Sequence, residues 1–279
     1  LSERLFVQLQ HALPKLLITR LFGFVARRRA GALTQWMIRR FIARYDVDMN
    51  EAAESSPLAY PTFNAFFTRA LKAGARPLAE ARLVCPVDGA ISQFGAIERD
   101  QIFQAKGKTY SSRALLACSE AEARRFDDGL FATLYLSPRD YHRIHMPCDG
   151  RLVAMRYVPG ELYSVNPATA RGVDGLFARN ERVVCEFDSP HGPFALVLVG
   201  ATIVGSMETV WHGVVNPPRG AAVRHWDYRD RDIVLRQGDE MGRFLLGSTV
   251  VLLFPKGELR FNDAWAPARA VRMGEAMAD

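Results

Sequence analysis

Helical periodicity confined to the start of the chain, followed by short apolar and alternating segments punctuated by glycine and proline, predicts an α+β protein. N-terminal amphipathic helices are expected over residues 1–45, ahead of a β-rich catalytic domain over 46–279. Two further observations fit this division. The 279 residues are 49% hydrophobic, ample for a core. Charge is also divided unevenly: residues 1–45 hold nine Lys/Arg against the single acid Glu3, a net +8, while the whole chain carries only +6. A basic surplus at one end points to an anionic membrane or nucleic acid rather than to general solubility.

Leu5, Phe6, Leu9, Leu13, Leu16, Leu17, Leu21 and Phe24 recur at three- and four-residue spacing, one face of a helix interrupted near Pro14. A second helical segment, Leu33 to Tyr45, mixes Trp36, Met37, Ile38, Phe41 and Ile42 with Arg39, Arg40 and Arg44. A helical pair packed on the protein's own core is one reading. A pair lying in the membrane interface is the other, because large apolar residues beside a cationic face suit that environment. Nucleic acid is disfavoured, since the aromatics share the apolar face and are not free to stack on bases. Thr62 should cap a short helix that turns Phe63, Phe66 and Phe67 inward. Asp88-Gly89 is a turn leading into a strand. A helix is expected over Ala114 to Arg125, a strand over Phe131 to Leu136, and short buried strands from Val183 to Val215. The longest uncharged stretch, Ser189 to Met207, is interrupted by Pro190, Gly192, Pro193, Gly200 and Gly205, so it reads as strands rather than a membrane span. Charges at Glu3, Arg4, Lys15 and Arg20 break up any secretory pattern. Cys85, Cys118, Cys148 and Cys185 form no C-x-x-C pair, which indicates neither a disulfide scaffold nor a zinc knuckle.

The run Phe244-Leu245-Leu246-Gly247-Ser248-Thr249-Val250-Val251-Leu252-Leu253-Phe254 is the centre of interest. Its residues suit a buried strand, yet glycine inside such a run marks a bulge or a close backbone approach. Two core strands joined by a tight turn would explain it without chemistry. Elsewhere the chain supplies partners for Ser248: His142 and His145 as bases near neutral pH, and Asp88 as a carboxylate to orient one of them. Zinc is a competing reading of the two histidines on one side of a helical turn, but no carboxylate or cysteine stands at a recognised partner spacing, and no metal is assigned. A serine hydrolase is a second competitor, although the G-x-S-x-G elbow is absent. A further target for Ser248 is its own preceding carbonyl, at Gly247.

Several motifs in order resemble the bacterial phosphatidylserine decarboxylase family across essentially the whole chain. Leu246-Gly247-Ser248-Thr249 resembles its self-processing motif, Pro86-Val87-Asp88-Gly89 its aspartate motif, and Tyr141-His142-Arg143-Ile144-His145-Met146-Pro147 its histidine motif. Pro159-Gly160-x-Leu162-x-Ser164-Val165-Asn166-Pro167 and Phe177-Ala178-Arg179-Asn180-Glu181-Arg182 extend the match. The resemblance implies a proenzyme cut between Gly247 and Ser248 into chains 1–247 and 248–279. His145, oriented by Asp88, would deprotonate Ser248, and Ser248 would become a covalent pyruvoyl cofactor. That ketone forms a Schiff base with phosphatidylserine and accepts the electrons left by carbon dioxide, so that phosphatidylethanolamine is released. His142 is the implied proton donor, and Ser164 and Asn166 the implied phosphodiester ligands. The expected partners are phosphatidylserine in an anionic membrane and the two chains of one precursor, with a homodimer left open and no nucleic acid. The expected location is peripheral, on the cytoplasmic face of the cell membrane. A membrane-surface hydrolase and a silent lipid-binding module remain the alternatives.

Overall fold

The computed structural model describes Gln8, Gln10 and residues 13–105, 107–203, 206–246 and 249–279. Leu5, Phe6 and Leu9 of the first apolar stripe lie outside the described residues, as do Gly247 and Ser248. The architecture is α+β, with short N-terminal helices ahead of a β-rich body.

A nine-stranded antiparallel sheet forms the centre of that body. Its order runs Arg224–Asp227, Gly150–Val158, Arg182–Asp188, Phe194–Val199, Thr249–Phe254, Leu130–Tyr135, Gly89–Ala96 and Ala270–Val271, with Val234–Leu235 also paired to Gly150–Val158. Thr249–Phe254 sits mid-sheet, bonded to Phe194–Val199 on one side and Leu130–Tyr135 on the other. Its side chains alternate between two cores. Val250, Leu252 and Phe254 join Leu134, Leu196 and Phe194 on one face, while Val251 and Leu253 join Phe131, Val197 and Phe177 on the other. Burial on both faces is why this strand reads as an unbroken apolar run rather than an alternating one.

A second, four-stranded sheet is ordered Gly213–Asn216, Met207–Thr209, Glu240–Phe244 and Arg143–His145. The run singled out in the sequence is therefore two strands in two different sheets. Phe244 ends one and Thr249 begins the other, so the chain crosses from sheet to sheet after Phe244.

Helix Ala32–Tyr45 packs on the short helix Phe63–Phe67 through an aromatic cluster in which Phe41 approaches Phe63, Phe66 and Phe67 at 5.2, 5.9 and 6.0 Å between ring centroids. Thr62 caps Phe63–Phe67 as expected, its hydroxyl accepting from the Ala65 amide at 3.0 Å. Helix Lys15–Ala26 begins directly after Pro14 and is turned inside out. It buries Lys15, Thr19 and Ala26, yet Leu17, Leu21 and Phe24 are 66%, 59% and 52% exposed. Polar groups do the attaching. Lys15 donates to the Gln10 carbonyl at 3.0 Å and pairs with Glu161 at 3.2 Å, and the Thr19 hydroxyl accepts from the Ile203 amide at 3.0 Å.

The expected helix over Ala114 to Arg125 is instead two helices, Ser112–Leu116 and Glu120–Ala123, followed by a 3-10 turn. Ala117 adopts the left-handed conformation between them, and Ser119 restarts the second with a capping box to Glu122. The helical turn considered for the two histidines is also corrected, because Arg143–His145 is a strand.

Candidate active site

Leu130–Tyr135 carries the geometry that gathers the site. Tyr135 is in register with Thr249 on one neighbouring strand and Ala90 on the other. Both neighbours run antiparallel to Leu130–Tyr135, so the chain enters them at the same end of the sheet. Asp88 stands two residues before Ala90, and Ser248 immediately precedes Thr249. The glycine after Asp88 is sterically required: a Cβ on Gly89 would lie 2.4 Å from the Tyr135 carbonyl oxygen.

The histidine strand is brought in through the second sheet. The Phe244 amide donates to the His142 carbonyl at 3.0 Å, and the His145 amide donates to the Pro86 carbonyl at 2.9 Å. His142 thus borders the crossing that leads to residues 247–248. His145 borders the segment that leads to Asp88. Across the crossing, the Asn64 side-chain amide donates to the Leu245 carbonyl.

His142 is fully buried, its ring 4.1 Å from that of Phe67 between centroids. Its Nδ1 is 2.7 Å from the Asp140 carbonyl, which can only accept, so the proton belongs on Nδ1. Nε2 has no hydrogen-bond partner among the described residues. Burial pushes His142 down to about 3, against the bond to Asp140, with nearby Arg69 adding to the fall. As packed, it is a neutral imidazole with a vacant acceptor.

His145 places Nδ1 2.8 Å from the Gly238 carbonyl and Nε2 3.0 Å from the Tyr141 hydroxyl. The Gly238 bond assigns the proton to Nδ1 and makes Nε2 the basic nitrogen. Burial lowers this histidine too, while Gly238, Glu240 and Asp88 act in the opposite direction.

Asp88 is 8% exposed and is engaged elsewhere. Arg76 donates to it from Nε at 2.9 Å and Nη2 at 2.5 Å, and the Met273 amide donates at 2.9 Å. Arg76 also donates to Glu51 at 2.7 Å. Burial opposes the Arg76 charge, but its bonds to Asp88 and Glu51 outweigh that and push it up. The expectation that Asp88 orients His145 therefore needs correction. Gly238 and Tyr141 hold both ring nitrogens, and Asp88 acts on His145 through its charge.

Ser164 lines a cavity of about 230 Å³ that it shares with Phe67, Tyr135 and Leu246, so it does face the crossing. Asn166 is occupied. Its Oδ1 accepts from the Thr169 amide at 2.9 Å and hydroxyl at 3.0 Å, capping helix Pro167–Gly172. Sequence reading missed Arg76, Tyr141 and Asn64. Tyr141 lies inside the histidine motif and could have been found there. Arg76 and Asn64 meet their partners only through the tertiary fold.

Two orphaned polar atoms bear on a group built at residue 248. His142 Nε2 is one, and the other is the Thr249 hydroxyl, which is buried and unpartnered among the described residues. The Thr249 hydroxyl can donate to a small carbonyl-bearing group, whereas His142 Nε2 can take a proton or a hydrogen bond from a donor beside it. Buried neutral imidazoles around a strand junction define a site for proton transfer in a dry environment. Comparison with known proteins then gives the family. A family model described as phosphatidylserine decarboxylase matches residues 63–279, and one described as PSD matches residues 5–46. The chain is 70% identical over 279 residues to the phosphatidylserine decarboxylase proenzyme of Chromobacterium violaceum, covering 100% of both chains. It is 69% identical over 278 residues to that of Methylibium petroleiphilum, covering 100% of this chain and 98% of the relative. The chain belongs to the phosphatidylserine decarboxylase family.

Proposed function

We propose that this chain cuts itself between Gly247 and Ser248 and then decarboxylates phosphatidylserine to phosphatidylethanolamine. The observation that carries the reading is the crossing at residues 245–248, flanked by the Phe244 to His142 backbone bond on one side and the buried Thr249 on the other.

In the first reaction, neutral His145 receives the Ser248 hydroxyl proton on Nε2, the nitrogen that the Gly238 carbonyl leaves basic. The Ser248 oxygen attacks the Gly247 carbonyl carbon, and the amide becomes an ester as the nitrogen is protonated. Loss of the Ser248 α-proton expels the Gly247 carboxylate. Water then displaces ammonia from the dehydrated residue, leaving a pyruvoyl group on the new N-terminus. Tyr141, bonded to the same Nε2, must give way to the serine, and then stands ready to donate to the oxyanion. Asn64 holds the Leu245 carbonyl and so fixes the approach of the crossing. Burial of His145 serves the reaction, because a lowered histidine is unprotonated at neutral pH.

When present, the pyruvoyl group supplies an electron sink for the carbanion left by carbon dioxide. The proton movement at the substrate Cα is assigned to His142, whose buried Nε2 has no partner among the described residues. As packed it carries no proton on Nε2, so it first acts as an acceptor. An anionic substrate beside Nε2 favours the charged imidazole and turns it into a donor.

Access to a lipid substrate comes from helix Lys15–Ala26, whose outward leucines and phenylalanines lie beside Arg20, Arg27, Arg28 and Arg29. No helix among the described residues is long and apolar enough to cross a membrane. The helix therefore lies in the interface, on the cytoplasmic side where anionic lipid faces basic protein. Intact-mass measurement of purified protein tests the first reaction, and release of labelled carbon dioxide from carboxyl-labelled phosphatidylserine tests the second. A single uncut chain that releases none would overturn the reading.

A further inference from the structure

We infer that the substrate's phosphodiester is bound by Arg219, Arg27 and Arg20 in a cavity next to the crossing, an assignment that rests on the decarboxylase reading above. The cavity, about 260 Å³, lies between helix Lys15–Ala26 and the segment that follows Asn216, and Leu245 and Leu246 form part of its wall. Three arginines line it, and no acidic residue does.

Each arginine has capacity left for an anion. Arg219 gives Nε to Glu181 at 2.9 Å, and Glu181 is itself buried and bonded to the Tyr157 hydroxyl at 2.9 Å. That pair fixes the guanidinium, while its Nη2 is buried and has no partner among the described residues. Desolvating a donor without a partner is costly, which is the mark of a site awaiting a ligand. Arg27 and Arg20 take part in no ion pair among the described residues. Arg27 folds back along its own helix over Gly23, where a Cβ would come 3.2 Å from its Nη1. A glycine in mid-helix is otherwise unfavourable, and here it makes room for the guanidinium.

The surroundings match a phospholipid rather than a free ion. The cavity shares Ala26, Ile203 and Leu246 with an apolar groove of about 520 Å³ between the two N-terminal helices, lined by Leu21, Trp36 and Phe41 among others. A charged cavity adjoining an apolar groove, both touching the residue two before Ser248, offers separate places to the phosphate and the acyl chains of one lipid beside the crossing. Arginine forks, charged and able to bind two oxygens at once, suit phosphate better than the neutral Ser164 hydroxyl or Asn166 side-chain amide do.

The test uses full-length protein and monomeric dihexanoyl phosphatidylserine below its micelle concentration, so that membrane charge plays no part. Arg27→Gln and Arg219→Lys should each raise KM about tenfold or more with little change in kcat, and should weaken calorimetric binding of dihexanoyl phosphatidylethanolamine by a similar factor. Self-cleavage, read by mass, should match the wild type. Gly23→Ala should reproduce part of the Arg27→Gln effect. Arg27 is exposed, so its loss does not threaten folding, and lysine at 219 keeps the charge beside Glu181. Unchanged KM and binding in both arginine variants, with wild type cutting itself and releasing carbon dioxide, would overturn the site and leave the decarboxylase reading standing. Wild type that releases no carbon dioxide would remove that reading first. Inorganic phosphate should compete only weakly. Competition as strong as that of the short-chain lipid would make this a free-phosphate site and refute the lipid assignment.

Discussion

Replacing Leu17 and Leu21 together by glutamine should remove a measurable part of the protein's apolar hold on a membrane without disturbing its fold. Both side chains point away from the body, 66% and 59% exposed, whereas the attachment of their helix runs through Lys15 and Thr19 on the opposite side. Full burial of a leucine is worth about 2 kcal/mol, so transferring the exposed portions of these two contributes roughly 2.5 kcal/mol, somewhat under a hundredfold in affinity. The basic residues add roughly 1 kcal/mol each when near an anionic surface, and that part decays over a Debye length of about 8 Å at physiological salt. The two contributions separate experimentally. In sedimentation with vesicles rich in anionic lipid, high salt should weaken wild-type binding but not abolish it. The double variant should bind markedly less than wild type at both low and high salt. Thermal unfolding should be unchanged, and so should self-cleavage. If the double variant sediments with vesicles as the wild type does, the exposed face is not the inserted one, and the membrane contact lies elsewhere.

Wild-type protein should appear by mass as chains of residues 1–247 and 248–279, and Ser248→Ala as one chain; an uncut wild type after prolonged incubation would end the self-processing reading. His142→Ala should be cut normally yet decarboxylate poorly, while His145→Ala should remain whole; the reverse pattern would exchange their roles. Because His142 is held down to about 3 from an ordinary 6.5, the unfolded chain binds a proton that the folded one refuses. Its contribution to stability is therefore complete above pH 6.5 and is lost as pH falls toward 3, by at most about 5 kcal/mol. Urea titrations of His142→Ala should show a flatter pH dependence across that window than wild type. Arg76→Gln strands two carboxylates that share a side chain only 5% exposed, so it should destabilise by about 3 kcal/mol and slow self-cleavage, with Arg76→Lys intermediate. Equal urea midpoints for Arg76→Gln and wild type would show that the network is dispensable.

Which features the sequence revealed and which it hid depends on the range over which each signal acts. Thr62, Phe63, Phe66 and Phe67 were legible because a cap and a helical face are local. Thr249–Phe254 was legible because burial on both faces leaves no polar residue within the run beyond its first. The inverted helix was half legible. Its leucine stripe was evident, but nothing local says that Lys15 and Thr19 face the protein, since their partners Glu161 and Ile203 are far along the chain. The expected Ala114 to Arg125 helix failed at Ala117, whose left-handed turn no composition rule demands. Asp88, His142 and His145 were found by motif, yet the motif does not say which hydrogen bonds they make. Nothing local marks Arg76, whose role emerges only when the Asp88 turn folds back upon it.

The crossing also reconciles two opposed demands. A peptide bond attacked by its own serine must lie where the backbone is free of a ladder, yet the short chain it releases must not leave the protein. The first demand is met where the chain passes from one sheet to the other, after Phe244 ends a strand of the first and before Thr249 begins a strand of the second. The strands downstream of the cut satisfy the second. Thr249–Phe254 is paired along both edges, Ala270–Val271 is paired to Ala90 and Gly89, and Ala276–Ala278 is paired to Leu83–Val84. Cutting ahead of Thr249 removes one covalent link and no strand pairing from either sheet. The four cysteines are all free, so retention of the short chain depends on those ladders and on the two cores that Val250 to Phe254 fill. A new N-terminus at residue 248 would then be anchored from its first neighbour onward, since Thr249 is already in register with Tyr135 and Val199. On the proposed reading, the reactive group would be held by a fully buried strand at the middle of the fold.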